Sequence, residues 1–147
     1  MSMTLDLAAF VPYQLSVASN AVSDLIAKNY QARFGLKIPE WRLMAVLGQG
    51  EAMTQRDLVN ATRMDKVTIS RAAAALSERG LVSRAASERD GRSHLLALTV
   101  TGTTLYDEIA PAALVIEQVV LGCLSLDERL TLSALLAKLR DAADVLG

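Results

Sequence analysis

The sequence predicts a mainly α-helical fold with a small β-hairpin wing, the arrangement of a winged helix-turn-helix. Three observations carry that expectation. The 147 residues are 52% apolar but only 4% aromatic, and β-branched runs are scarce outside one segment. Residues 54–62 and 65–79 read as a short helix and a longer one separated by a tight break. A charged hairpin built around Asp90-Gly91 follows at once, and that order places one helix for entry into a DNA major groove.

Each element has its own signal. From about Phe10 to Phe34, Leu15, Ala18, Val22, Leu25 and Ile26 recur at helical spacing, and Gly35 is placed to end the run. A second helix opens around Pro39-Glu40-Trp41, where proline's missing N–H costs nothing, and continues to Gly48 and Gly50. Thr54 and Asp57 have the spacing of a capping box, although Glu or Gln is the usual reciprocal acid. Asp65 suits the positive N-terminus of the fourth helix, and Gly80 suits a left-handed C-terminal stop with Leu81 packing back on it.

The hairpin strands are expected at 81–85 and 93–98, with Asp90-Gly91 as the turn. Thr99 reads as the N-cap of a fifth helix in which Pro111 should cause a kink or mark a bend. A leucine-rich last helix follows Leu124-Ser125. The length fits one domain that buries a core without disulfides or metal. No repeat, linker or low-complexity segment interrupts it.

Composition excludes several function classes. No apolar run reaches membrane-spanning length, and the first residues lack the features of a signal peptide, so a cytoplasmic location is expected. The single cysteine, Cys123, allows no intrachain disulfide and reads as an inert thiol buried in an apolar helix. One histidine and one cysteine give no metal-ligand cluster, so neither metal nor cofactor is expected. His94 shares strand parity with Leu96 and Leu98, which suggests packing beside the sheet and not catalysis; no nucleophile motif accompanies it, and an enzyme is not expected.

The formal net charge is −1. Its distribution is more informative, because residues 62–94 hold seven basic side chains against four acidic ones. Basic charge gathered on one submodule is what a DNA contact needs.

Placed on a helical wheel, residues 65–79 bury Ile69, Ala72, Ala73 and Leu76 and turn Val67, Ser70, Arg71 and Ala74 outward, with Lys66 and Thr68 on the flanks. Small outward residues let a backbone approach base edges, Val67 or Thr68 can touch a thymine methyl, and Arg71 can take a guanine edge or a phosphate. The expected DNA-facing set is Thr54, Gln55 and Arg56 at the start of the third helix, Lys66, Val67, Thr68, Ser70 and Arg71 on the fourth, and Arg89, Arg92 and Ser93 in the wing. Wing arginines can enter a narrow minor groove, where the negative potential is enhanced. The alternative, a winged-helix scaffold that binds protein, calls for an apolar or acidic outward face instead.

The runs Asp65-Lys66-Val67-Thr68-Ile69-Ser70-Arg71, Leu76-Ser77-Glu78-Arg79-Gly80-Leu81-Val82-Ser83-Arg84, Asp90-Gly91-Arg92-Ser93 and Leu96-Ala97-Leu98-Thr99-Val100-Thr101-Gly102 resemble those of the MarR family of bacterial transcriptional regulators. The resemblance extends over the chain from about Phe10. It implies a homodimer in which helices from 8–34 and 100–147 pair across a two-fold axis and 36–99 forms each DNA-binding lobe. The surplus of leucines in the last helix agrees independently. Such a dimer reads a palindromic operator with half-sites about one helical turn apart.

The resemblance further implies a repressor released from DNA by a small aromatic or anionic effector. The crevice between dimer helices and lobe would lie near Tyr13, Ser16, Tyr30, Trp41 and Arg42. Peroxide-sensing members carry a reactive cysteine near the start of the first helix. This chain has none there, which favours a small-molecule signal.

Overall fold

The computed structural model describes residues 3–86 and 94–147, in the order α1 (Val11–Phe34), α2 (Ile38–Leu47), α3 (Gln55–Thr62), α4 (Lys66–Glu78), β1 (Val82–Ala86), β2 (His94–Leu98), α5 (Val100–Leu121) and α6 (Leu126–Leu146). A single 3-10 turn at Leu7–Ala9 precedes α1 and had no evident sequence signal. The fold is therefore the mainly helical one expected, with one antiparallel hairpin. The chain divides into two compact units, Met1–Ala113 and Leu114–Gly147.

Local chemistry explains the boundaries in the first unit. Gly35 ends α1 at φ 65°, a left-handed conformation that costs glycine little. Pro39 lies in the first turn of α2, and Glu40 Oε1 accepts from the Lys37 N–H at 3.0 Å. The Thr54–Asp57 capping box forms in both directions: Thr54 N–H donates to Asp57 Oδ2 at 3.0 Å and Asp57 N–H to Thr54 Oγ1 at 3.1 Å. Aspartate's shorter side chain thus closes a box that glutamate usually closes.

The C-terminus of α4 is a Schellman turn: Gly80 adopts φ 71°, its N–H donates to Ser77 O at 3.0 Å, and Leu81 N–H donates to Leu76 O at 2.9 Å. The hairpin pairs Val82 with Leu98, Arg84 with Leu96 and Ala86 with His94. Met53 adds a short bridge to Leu96 with hydrogen bonds of 2.9 and 2.7 Å, tying the loop before α3 to the wing's base.

The core joins these elements through Leu43, Met44 and Leu47 of α2, Leu58 of α3, Ile69, Ala72, Ala73 and Leu76 of α4, Leu96 of β2 and Ile109 of α5. Helix α1 adds only Ala27 and Tyr30 to the buried set. His94 does not join it. It shares parity with the buried Leu96, but it stands at the end of the strand remote from the helices and is exposed.

At the start of α5, Thr99 caps the helix as expected, its Oγ1 accepting from Gly102 N–H at 3.0 Å. The same hydroxyl donates to Gly80 O at 2.6 Å, and Thr99 N–H donates to Leu81 O at 3.1 Å. Gly102 is buried at this point, and a Cβ there would overlap the Leu81 carbonyl oxygen. Helix α5 runs on through Pro111.

In the second unit, α5 turns into α6 through residues 122–125. Ser125 forms a reciprocal capping box with Glu128, at 2.9 and 3.1 Å. Arg129 closes the corner by donating from Nε to Leu121 O at 3.1 Å and from Nη1 to Gln118 Oε1 at 2.8 Å. Cys123 lies in this turn, not in a helix, and is exposed; the helical hydrogen bonding stops at Leu121, so the expected buried thiol is not found. Helix α6 buries none of its residues, and Leu130, Leu135, Leu136 and Leu139 are all exposed. Among the described residues, no single helix is long and apolar enough to cross a membrane.

Gly102→Ala should therefore destabilise the fold by about 2 kcal/mol or more, since backbone and not a pliable side chain must yield. Alanine at exposed Thr104, two residues along the same helix, should cost far less. Chemical denaturation of both variants checks the contrast, and equal midpoints would remove the close approach as a constraint.

Candidate nucleic-acid interface

Helix α4 is built to expose one face. Asp65, its N-cap, accepts from Thr68 N–H at 2.7 Å and from Thr68 Oγ1 at 3.0 Å. The Thr68 backbone N–H, and next its hydroxyl, hold the Asp65 carboxyl below its ordinary range. A charged cap thus sits at the positive end of the helix, one turn from the residues that face outward.

The burial pattern divides the helix as the wheel predicts. Ile69, Ala72, Ala73 and Leu76 are buried, whereas Lys66, Val67, Ser70, Arg71 and Ala74 are exposed and Thr68 is half-buried. Val67 is 57% exposed despite being β-branched and apolar, a poor choice for a surface with no partner. The Thr68 hydroxyl hydrogen is committed to Asp65, which leaves the methyl as its simplest outward contact.

Thr54 and Gln55 are half-buried at the start of α3, and Arg56 is exposed beside them. Thr54 uses its hydroxyl in the cap of α3, so its first role is to hold that helix end. Arg89, Arg92 and Ser93 lie outside the described residues. The fold thus brings Lys66, Val67, Ser70 and Arg71 onto one face of one helix.

Lys37 was not in the expected set. A cavity of about 250 Å³ between the start of α2 and the outer side of α4 is lined by Lys37, Pro39, Glu40, Thr68 and Arg71. Lys37 therefore adds an exposed cation beside Arg71 from a different helix. Its position just before Pro39 marked a helix start but gave no hint of the neighbour across the groove.

The expected effector residues are only partly brought together. Tyr30 and Trp41 meet with ring centroids 5.6 Å apart, and Trp41 stacks on Tyr106 of α5 at 5.9 Å and 23°. Arg42 donates from Nη2 to Ser23 Oγ of α1 at 3.3 Å. Burial pushes the Tyr30 phenol above its usual range, the Arg42 charge lowers it in part, and Asp24 raises it again. Tyr13 and Ser16 are exposed on the first half of α1. At 1.5 Å rise per residue Tyr13 stands roughly 25 Å from Tyr30 along the helix, so one small molecule cannot touch both in a single chain. Tyr106, which the sequence reading missed, completes the stack; its place one helical turn before the buried Ile109 was the available signal.

Among the described residues no group of three or more His, Cys, Asp or Glu side chains is placed to hold a metal ion.

Known proteins resemble this chain in sequence and in fold. A family model described as the MarR family matches residues 34–93, from the last residue of α1 to the residue before β2. The repressor NicR of Pseudomonas putida is 32% identical over 94 residues, 64% of this chain; the match spans 60% of NicR's length. The crystal structure of a probable transcriptional regulator from Pseudomonas aeruginosa is 33% identical and aligns over 90% of this chain and 98% of that one, with a TM-score of 0.79. Bordetella bronchiseptica BpsR, whose DNA binding is regulated by 6-hydroxynicotinic acid, is 25% identical, with 95% and 99% of the two chains covered and a TM-score of 0.84.

The depressed Asp65 carboxyl gives a pH test with a definite sign. Its charged cap adds stability above the ordinary value of 3.8, and that contribution drains away as pH falls through the lower folded value. Asp65→Asn keeps a capping side chain without the charge, so the variant should melt below the wild type near neutrality. The gap should close as pH drops below 3.8. Thermal melts between neutral and acid pH check it; a gap independent of pH would assign the cap to hydrogen bonding alone.

Proposed function

The chain belongs to the MarR family of transcriptional regulators and is not an enzyme, and from that premise we propose that it is a repressor that binds a palindromic operator as a homodimer and leaves it when a small aromatic or anionic effector binds. The observation that carries the DNA reading is the exposed face of α4, where Val67, Ser70 and Arg71 stand free of the core that Ile69, Ala72, Ala73 and Leu76 fill. Small and polar groups at the N-terminal end of such a helix suit base edges, and Arg71 with Lys37 and Lys66 supplies charge for phosphates. Arg56 contributes from α3, beside Thr54 and Gln55, and the wing's Arg89, Arg92 and Ser93 extend the contact toward the adjacent minor groove.

The dimer reading rests on apolar surface that the single chain leaves bare. Leu15, Val22 and Leu25 on α1 and Leu130, Leu135, Leu136 and Leu139 on α6 are all exposed. Large apolar side chains left exposed on each helix in this way mark an association surface. On this reading residues 8–34 and 100–147 form the dimer and 36–99 the DNA-binding lobe. A second copy also relieves the spacing problem in the effector site, since its Tyr13 and Ser16 can approach the Tyr30, Trp41 and Arg42 of the first.

The effector reading rests on the Tyr30–Trp41–Tyr106 rings beside Arg42, a combination suited to an aromatic acid. BpsR responds to an aromatic acid of that type.

Selection of bound duplexes from a random DNA pool at physiological salt tests the central claim. A palindrome with half-sites about one helical turn apart is the expected result. Recovery of no motif by folded, dimeric protein would overturn it.

Arg71→Ala separates two roles on the recovered operator. Loss of a base contact should cost about 1–3 kcal/mol and relax sequence preference at one position of each half-site. An equal loss on specific and random DNA, with a shallower salt dependence, would make Arg71 a phosphate contact instead.

A further inference from the structure

The seven basic side chains of residues 62–94 do not all face outward for DNA. Arg79, the C-cap residue of α4, turns its guanidinium to the end of α1: Nη2 donates to Phe34 O at 2.8 Å, with a longer contact of 3.5 Å from Nη1 to Gly35 O. These are carbonyls of the last turn of α1, where no further helical N–H arrives and where the macrodipole favours a cation. A charge-assisted hydrogen bond to such a carbonyl is stronger than a neutral one.

Helix α1 needs such a tie. It spans 24 residues, yet Ala27 and Tyr30 alone are buried. Those two side chains, with Tyr30 against Trp41, and the half-buried Ile26 and Phe34 make a short contact confined to the last part of the helix. A long helix held by so short a contact can rotate about it unless something fixes its direction. Arg79 adds a directional polar tie at the carbonyl end of that contact, and Arg42 on α2 reaches α1 at Ser23, 3.3 Å away. Of the two, only Arg79 belongs to α4 itself.

We propose that Arg79 is a positioning residue: its bond to the C-terminus of α1 fixes α4 relative to the dimer helix and so sets the spacing at which two recognition helices meet DNA. The inference rests on the dimeric-regulator reading above. Arg79 touches no base in this role. The Schellman turn at Gly80 makes the placement possible, because it ends α4 sharply and leaves the Arg79 side chain beside Gly35.

The test uses full-length dimeric protein and palindromes that keep the selected half-sites and vary the spacer by single base pairs. Each added pair shifts one half-site by about 3.4 Å along the axis. The wild type should bind one spacing best. In Arg79→Ala the ratio of affinities between that spacing and its neighbours should shrink about tenfold, the scale of one charge-assisted hydrogen bond. Binding to an isolated half-site should change little. Arg79→Lys, which can still donate to Phe34 O, should restore much of the ratio.

A purely structural arginine would lower melting temperature and weaken all DNAs alike without altering the spacing profile, and that result overturns the proposal. An unchanged profile and unchanged affinity overturn it equally. If the wild type itself binds no spaced palindrome, the dimeric-regulator reading fails, and this inference falls with it. Arg84→Ala, an exposed change on β1, serves as the charge control: it matches the loss of one positive charge without the tie.

Discussion

The junction of Gly80 and Leu81 with Thr99 and Gly102 is the constraint on which the lobe depends. Within it α4 ends, the hairpin begins and returns, and α5 starts. One hydroxyl, Thr99 Oγ1, accepts from Gly102 N–H and donates to Gly80 O. One carbonyl, Leu81 O, accepts from Thr99 N–H and lies so close to Gly102 that no side chain fits there. Three elements thereby share a few backbone groups, and their relative directions follow from hydrogen-bond geometry more than from side-chain packing. The Leu-Thr-x-x-Gly run noticed in the sequence thus has a mechanical meaning: cap, crossing and close approach in five residues.

Once the junction is fixed, the rest of the lobe follows from burial. Leu96 fills the core from the wing's second strand, and Met53 hydrogen-bonds to it through the backbone, so the loop before α3 is anchored to the same strand. Ile69 and Leu76 then hold α4 at either end of its buried stripe, with two alanines between them. The hairpin, α3 and α4 are consequently placed by one cluster. A change that loosens the junction acts on all three at once. A change on the exposed side of α4 acts on none of them.

Much of this was legible in the residues because the signals were local. Capping pairs, the glycine stops and the 3.6-residue stripe of α4 are short-range features whose physics is complete within a turn or two of helix. The stripe of Ile69, Ala72, Ala73 and Leu76 was read correctly for that reason. The failures were of two other kinds. Cys123 was placed in a helix because its apolar neighbours continue the pattern, whereas the chain turns at Gly122 toward the Ser125 cap. That Ser-x-x-Glu signal was present in the sequence and outweighs the apolar run. Tyr106, Lys37 and the reach of Arg79 to Phe34 depend on contacts between residues far apart in the chain, and no local periodicity encodes which partner a side chain meets. The wing tip, with Arg89 and Arg92, lies outside the described residues.

The composition of α4 reconciles a nearly neutral chain with the proposed contact to a polyanion. Its centre, Arg71-Ala72-Ala73-Ala74-Ala75, has the highest intrinsic helix propensity available, so the helix needs few large residues to hold its shape. Inward, Ala72 and Ala73 allow close packing against α2. Outward, Ser70 and Ala74 leave the backbone thin where a groove must admit it. A helix thin on both sides can approach base edges with only a few cations, because short distances raise the value of each one. Acidic residues elsewhere in the chain then cost little, since salt screens charges more than about 10 Å from the interface. On this account the position of each positive group matters more than their number, which is why an arginine that never meets DNA, Arg79, can still govern how DNA is read.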